Sequence, residues 1–417
     1  MKILFRTLLL WLLTFKIAAS QDMDYARRVI DSLCSPGMHG RGYVHKGDRI
    51  AARFIRNEFI SLGLKPLGKN YFQSFSLSVN TFPKRMSLSI SGKGLIPGRD
   101  FLIDPASGKA RGRYRLYNVT STSLRGTREM LKNTFLLVDK KEASTRDEIN
   151  AMELWTTKPA GARGVIMIED NKLNWSVSRK RLKHPVFRVL RQALPPEASQ
   201  VEVKADVRYR KKYRTQNIIG YVPGTLYSDT FIIFTAHYDH LGRMGAETLF
   251  PGANDNASGI SMLLNLARYY ARNPLPYSVA FIAFAAEEAG LLGSEYFVKK
   301  PLIPLKQIKF LLNMDIVGTG EEGLMVVNGQ VFTDHFNLLE DINKKKNYVV
   351  SLQKRGKARN SDHYWFTERG VKSFFIYTLG GVSHYHDIND RPETLPLTDY
   401  ADIFRLIVEF IDRLKEI

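Results

Sequence analysis

The chain has 417 residues, 44% of them hydrophobic, which is enough to bury at least one full core and argues against disorder; the length predicts two to three domains. A net charge of +20 invites a nucleic-acid reading through counterion release, but the N-terminus points out of the cytoplasm and excludes nucleic acid as the expected partner. Basic runs such as Arg179-Lys180-Arg181 and Arg210-Lys211-Lys212 are then solvated faces or sites for acidic envelope polymers.

Residues 1–20 carry Lys2 and Arg6 ahead of a Leu-rich run and close on Ala18-Ala19-Ser20, the layout of a cleaved secretory signal. The apolar run is shorter than the roughly 20 residues that cross a bilayer, and Lys16 interrupts its end. The mature chain is therefore expected to be exported, periplasmic or secreted, with no integral membrane span. Cys34 is the single cysteine, so no intramolecular disulfide forms. Its distance along the chain from the His and carboxylate clusters below argues against a catalytic thiol.

Tyr25, Val29 and Ile30, followed by Ile50, Phe54, Ile55, Phe59 and Ile60, predict two helices within residues 24–64, separated by a Gly-rich turn at 37–42. Alternation around Pro83 over residues 75–91 predicts a hairpin at a sheet edge. Between residues 98 and 214 basic residues become denser, and short strands are predicted at 134–138 and 164–168. This stretch is read as a smaller inserted β-rich domain that divides a second domain made of residues 21–97 and 215–417. None of its polar residues forms a metal or nucleophile cluster, so it is assigned no chemistry.

From residue 217 onward, apolar runs at 231–235, 279–284, 310–313 and 371–377 alternate with helical patterns at 258–272 and 399–415. Continuous apolar strands alternating with helices predict an α/β fold, its mixed, mostly parallel sheet sandwiched by helices. Ligands of such sheets bind beyond the carboxyl ends of the strands.

Each predicted strand ends in a potential metal ligand. The first runs into His237-Tyr238-Asp239-His240, and a loop then brings Asp255 just ahead of a helix. The second ends in Glu287-Glu288, the third in Asp315, and the last is followed by Ser383-His384-Tyr385-His386-Asp387. Charged side chains at the ends of buried strands are costly unless paired or bound to metal. One such residue would be an ion pair or a cap; five at equivalent places point to a metal site. Imidazole and carboxylate without thiolate suit zinc, with cobalt or manganese as alternatives. Two ions sharing one carboxylate would clamp a water and polarise a carbonyl. Neighbours such as Glu287 and Glu288 point apart on an extended chain, but a turn at the strand end lets both reach the site, one as ligand and the other as general base. There is no G-x-S-x-G elbow, Gly-rich phosphate loop or paired C-x-x-C.

At these residues the chain resembles the M28 family of zinc aminopeptidases. The blocks that carry the likeness are Ala236-His237-Tyr238-Asp239-His240-Leu241-Gly242, Gly252-Ala253-Asn254-Asp255-Asn256-Ala257-Ser258-Gly259, Ala286-Glu287-Glu288-Ala289-Gly290, Asn313-Met314-Asp315 and Ser361-Asp362-His363, together with the early Gly40-Arg41-Gly42 and Gly63-Leu64-Lys65-Pro66. The resemblance implies a zinc exopeptidase fold holding two Zn2+ and acting on peptides with a free N-terminus. It places one zinc on His237, Asp255 and Asp315 and the other on Asp255, Glu288 and His386, with Asp255 bridging. Glu287 would be the base and Asp239 the residue that orients His237; His386 is preferred to His384, and His240 is read as a hydrogen-bonded structural histidine. Arg359, Asp362, His363 and Trp365 are the substrate-binding candidates. Many relatives place an oxyanion-stabilising tyrosine shortly before the Ser-Asp-His block; here that stretch is Lys357-Ala358-Arg359-Asn360, so Arg359, a residue from elsewhere or a zinc is expected to do that job, and Trp365 replaces a proline, as a pocket wall or core. Through Pro159-Ala160-Gly161-Ala162-Arg163-Gly164-Val165-Ile166 the insertion resembles a protease-associated (PA) domain. Three alternatives remain: a glutaminyl cyclase on the same fold, a carboxypeptidase or dipeptidase, and a non-catalytic peptide-binding scaffold. The sequence carries no signal of oligomeric state.

Overall fold

The computed structural model describes residues 22–119 and 131–414; the signal expected at residues 1–20 lies outside them. A nine-stranded mixed sheet runs in the order Lys65–Pro66, Arg208–Val222, Tyr277–Phe284, Tyr227–His237, Ile308–Met314, Ser373–Leu379, Gly323–Val327 and Leu352–Arg355, with Phe72–Thr81 also paired to Arg208–Val222. The four consecutive strands from Tyr277–Phe284 to Ser373–Leu379 are parallel, so their carboxyl ends share one edge. Both faces of this sheet are covered. Ile232, Phe234 and Ala236 pack into one core and Phe231 and Ile233 into the other, and Val279, Phe281 and Ala283 alternate with Ala280, Ile282 and Phe284 in the same way. Two-sided burial explains why these strands read as unbroken apolar runs.

Helix Gly259–Arg272 is buried from Gly259 to Ala267, between the sheet and the helices Met23–Cys34 and Tyr400–Arg413. A helix apolar on nearly every side belongs in an interior. Two of its polar side chains are satisfied: Ser261 donates to the Ala26 carbonyl and Asn265 to the Ser261 carbonyl, each at 3.0 Å. Because this helix begins just after Asp255, its packing fixes that residue's height above the sheet. Among the described residues no helix is long and apolar enough to cross a membrane.

A second sheet has eight strands, ordered Lys93–Leu95, Ser87–Ile90, Gln200–Ala205, Ala110–Val119, Thr134–Asp139, Gly164–Glu169, Val186–Leu190 and Phe101–Ile103. The hairpin expected over residues 75–91 does not form. Phe72–Thr81 pairs with Arg208–Val222 in the first sheet, whereas Ser87–Ile90 pairs with Gln200–Ala205 in the second. The chain crosses between sheets at Pro83, and alternation alone carries no information about a partner so far along the sequence. The second sheet thus begins before residue 98. The sheets share apolar packing: Leu241, Met244 and Phe250 join Phe82 and Trp175 in one cluster, with the Trp175 and Phe250 rings stacked at 4.8 Å.

Asp48 on helix Gly47–Ser61 is fully buried and accepts hydrogen bonds from the hydroxyls of Tyr213 at 2.5 Å and Thr215 at 2.8 Å, tying that helix to strand Arg208–Val222. Burial pushes its carboxyl up to about 6 against the pull of those two hydroxyls. The folded state therefore holds a proton that the unfolded state has shed, and stability falls as pH rises from about 4 to about 6, then levels off. In Asp48→Asn that contribution, about 2 kcal/mol across the window, is expected to vanish. The gap between the variant's and the wild type's melting temperatures should grow in the variant's favour from pH 4 to pH 6; parallel melting curves would refute this.

Candidate metal centre and active site

Five segments meet beyond the parallel strands. His237 ends Tyr227–His237, Glu287 and Glu288 lie just past Tyr277–Phe284, and Asp315 follows Ile308–Met314. Asp255 sits in the turn before helix Gly259–Arg272, and His386 in the loop after Ser373–Leu379. His237 Nε2 is 3.3 Å from Asp255 Oδ1 and 3.2 Å from Asp315 Oδ1. His386 Nε2 is 3.2 Å from Asp255 Oδ2 and 3.1 Å from Glu288 Oε2. Asp255 thus turns one carboxylate oxygen toward each group. His240 Nδ1 lies 2.8 Å from Glu288 Oε1 and 3.9 Å from Asp255 Oδ1, so His240 is hydrogen-bonded as expected and also close enough to serve as a donor in the second group.

The donor set fits metal. Donors at about 2.0–2.2 Å around a tetrahedral zinc lie about 3.3–3.6 Å apart, close to the separations here. Three buried carboxylates would repel one another without a cation between them. In the bare protein the imidazoles supply that charge. Burial opposes protonation of His386, yet Glu288 and Asp255 push it up to about 11, and His237 is raised well above its ordinary value by Asp315 and Glu287. Glu288 is held down at about 2 despite burial and the repulsion of Asp255, by His386 and His240. Metal entering the cluster displaces these protons, so its affinity falls in acid.

Glu287 is set apart. Its carboxylate accepts no hydrogen bond among the described residues, and burial, opposed by the attraction of His237 and helped by repulsion from Asp315 and Glu288, raises it well above the usual carboxylate range. Its backbone N–H donates to Asp239 Oδ1 at 3.1 Å, and the Tyr43 hydroxyl donates to Asp239 Oδ2 at 3.2 Å. The expected bond from the Asp239 carboxylate to His237 is long: Nδ1 is 3.9 Å from that carboxylate and 3.1 Å from the Asp239 backbone carbonyl. Asp239 therefore orients the ring through its main chain, while its side chain anchors the Glu287 backbone.

Several supports escaped sequence reasoning. Asp390 accepts the N–H groups of Asn254 and Asp255 at 2.8 and 3.0 Å. Asn256 accepts from Gly259 N–H at 3.0 Å and donates to the Met314 carbonyl at 3.0 Å, joining the Asp255 turn to the strand before Asp315. Arg41, with no exposed surface, donates to the carbonyls of Tyr238, Pro251 and Gly252 at 2.9, 2.6 and 2.6 Å. Its place between two glycines was the one available signal. Gly252 has φ +65°, and a Cβ there would lie 2.4 Å from the His240 ring, so no side chain fits.

Two substrate-binding expectations are corrected. Asp362 and His363 are 0% and 1% exposed, too deep to touch a substrate. Asp362 accepts the Ser294 hydroxyl at 2.5 Å, and the His363 ring packs 5.2 Å from Phe375; their neighbour Ser361 donates to Asp315 Oδ2 at 3.0 Å. Trp365 is half-buried against core, with its indole N–H donating to the Leu291 carbonyl at 3.1 Å. The exposed Arg359 lies 4.9 Å over its ring. His384 turns to Asp387 at 3.6 Å, away from the cluster, while Tyr385 stacks on His386 with ring centroids 3.8 Å apart. Cys34 is buried, its thiol pushed up to about 12 by burial, and so is protonated near neutrality.

A mixed sheet covered on both faces, with a buried imidazole and carboxylate cluster beyond its parallel strands, defines an α/β protein with a candidate metal centre. Residues 217–411 match the model of peptidase family M28. Aminopeptidase YwaD of Bacillus subtilis (strain 168) is 26% identical over 304 residues, 70% of this chain and 64% of that one. A probable zinc metalloprotease of Pyricularia oryzae is 32% identical over 26% of this chain and 23% of its own length. The chain thus spans less than two thirds of the length of either relative. Among solved structures, the fold is similar to BSAP, a zinc aminopeptidase from Bacillus subtilis, with TM-score 0.67 and 23% identity over 92% of this chain and 94% of that one. It is likewise similar to a peptidase M28 precursor from Shewanella amazonensis, with TM-score 0.65 and 14% identity over 94% and 97%.

Proposed function

We propose that the chain is an exported two-zinc aminopeptidase that removes residues from the free N-terminus of peptides. The observation that carries this reading is Asp255, whose two oxygens face two separate imidazole and carboxylate groups. His237, Asp255 and Asp315 would hold one zinc, and Asp255, Glu288 and His386 the other, with His240 beside the second. When bound, zinc supplies Lewis acidity toward a peptide carbonyl and a water. Glu287, free of both groups, accepts the proton of the attacking water and returns it to the leaving amine. Asp239 holds the backbone of that base. Arg359 and Trp365, stacked on one another, are the substrate-facing candidates. Export rests on the layout of residues 1–20. The inserted unit, built on the eight-stranded sheet, is read as PA-like, and the zinc peptidase unit is completed by the chain on either side of it.

Release of the first residue from an unblocked peptide is expected, with none from its N-acetylated counterpart. Chelation should abolish the activity, and zinc should restore it at two ions per chain. Cobalt or manganese restoring more activity than zinc would reassign the metal. Conversion of an N-terminal glutamine peptide to pyroglutamate without hydrolysis would replace this reading with a cyclase, and an intact chain that binds no metal would replace it with a peptide-binding scaffold.

A further inference from the structure

The loop that carries His386 is gripped from the inserted unit. Lys172 Nζ donates to the carbonyls of Ser383 at 2.5 Å and Tyr385 at 2.9 Å, and pairs with the Asp387 carboxylate at 3.1 Å. Three residues on, the Trp175 N–H donates to the carbonyl of His386 itself at 3.0 Å. The far side of this short strap is anchored in apolar packing. Leu173 and Trp175 are buried, Trp175 stacks on Phe250, and its indole N–H donates to the Ile103 carbonyl at 2.8 Å. Strand Phe101–Ile103 belongs to the eight-stranded sheet, so a continuous set of contacts runs from that sheet to the backbone of a proposed zinc ligand.

The grip falls where the loop most needs one. His386 has φ +59°, a left-handed conformation that a residue with a Cβ adopts at a cost and keeps only where its surroundings impose it. Inside the loop, the Asp387 N–H reaches the His384 carbonyl at 3.2 Å, the Asp390 N–H reaches the Asp387 carbonyl at 3.4 Å, the Asp387 side chain caps the Asn389 N–H at 2.6 Å and faces His384, and Tyr385 stacks on His386. Lys172 and Trp175 address the carbonyls of Ser383, Tyr385 and His386, which these local bonds leave unused. A lysine ammonium has three protons to donate, and here it faces three acceptors.

We infer that the inserted unit positions the second metal ligand: Lys172 and Trp175 hold the His386 loop so that Nε2 faces Asp255 and Glu288. This rests on the two-zinc reading above. The docking of the inserted unit and the occupancy of the second site are then coupled, and the coupling runs equally in both directions. Lys172 touches no reacting atom and acts only through His386.

The test is zinc titration of the metal-free full chain against a chromophoric chelator. Wild type is expected to show two binding steps. Lys172→Met should weaken the second step about tenfold or more, the range for residues that orient a metal ligand, and leave the first unchanged. Lys172→Arg, which can still donate to carbonyls and carboxylate, should recover most of the affinity, and Lys180→Met in the same exposed stretch should change neither step. At limiting zinc the Lys172→Met enzyme should lose kcat with KM unchanged, and excess zinc should restore it. Amide exchange on wild type needs no variant: zinc should slow exchange in residues 172–177 as well as 383–388. Two unaltered binding steps in Lys172→Met, or zinc protection confined to 383–388, would overturn the inference alone. A wild type that takes up only one zinc would overturn the two-zinc reading and this inference with it.

Discussion

Glu287→Gln is expected to lower kcat by about a thousandfold, the loss that follows removal of a well-placed general base, while the protein keeps both zinc ions and its KM changes little. Gln preserves the size of the side chain and its ability to hydrogen-bond but cannot accept the proton of water. The loss should therefore fall on the chemical step. What separates Glu287 from Glu288 is its surroundings. Glu288 is within 3.1 Å of His386 and 2.8 Å of His240, a ligand's neighbourhood, whereas Glu287 pairs with no cation and is raised by burial and by Asp315 and Glu288. A carboxylate raised above its ordinary range is a stronger base than a free one. The counterpart Glu288→Gln should behave oppositely, losing zinc before it loses catalysis in zinc excess. Metal content and steady-state kinetics measured side by side decide the matter. If Glu287→Gln loses zinc and regains its rate on adding it, Glu287 is a ligand and the base lies elsewhere.

The cluster was legible because its signal is local. His237, Glu288 and Asp315 sit at or just past the ends of apolar strands, Asp255 precedes a buried helix and His386 follows the last parallel strand, and the chemistry of strand ends in a parallel sheet is independent of which strands neighbour one another. That is why His237, Asp255, Glu288, Asp315 and His386 could be placed without knowing the sheet order. The supports were illegible for the converse reason. Asp390 reaches Asn254 and Asp255 across more than a hundred positions of sequence, and no periodicity marks such a pair. Asp362 and His363 read as binding residues from their place in the Ser361-Asp362-His363 block, yet both are buried, Asp362 accepting the Ser294 hydroxyl and the His363 ring packing on Phe375. His240 shows the limit of residue-type reasoning. Its bond to Glu288 fits a structural histidine, but only the coordinates reveal that it also lies 3.9 Å from Asp255. The insertion's strands were visible, but its grip on the His386 loop, made largely through backbone carbonyls, has no side-chain signature at 383–386 to be read.

Arg41 carries the second large expectation. Its side chain is wholly buried, and besides the carbonyls of Tyr238, Pro251 and Gly252 it donates to those of Leu33 at 3.1 Å and Asp255 at 3.3 Å. These acceptors lie in the helix Met23–Cys34, the segment between His237 and His240, and the turn that carries Asp255. The planar guanidinium, with five N–H donors in a fixed fork, joins three otherwise unconnected pieces of chain behind the metal site. Replacing it with Met of similar length strands buried carbonyls whose desolvation is no longer compensated, at about 1–3 kcal/mol each and less than additively, so a loss of about 4 kcal/mol is expected. Arg41→Lys should recover only part of this, because three donors on a point charge cannot serve five acceptors spread over a plane. Denaturant unfolding of the metal-free chain reads the stability, and zinc affinity reads the consequence for the site. Because Tyr238 and Asp255 lie in segments that would present ligands to the first proposed zinc, both quantities should fall together. An Arg41→Met protein that unfolds at the wild-type denaturant concentration and binds zinc as tightly would mean that the loops hold their own shape and that the buried charge is incidental to them.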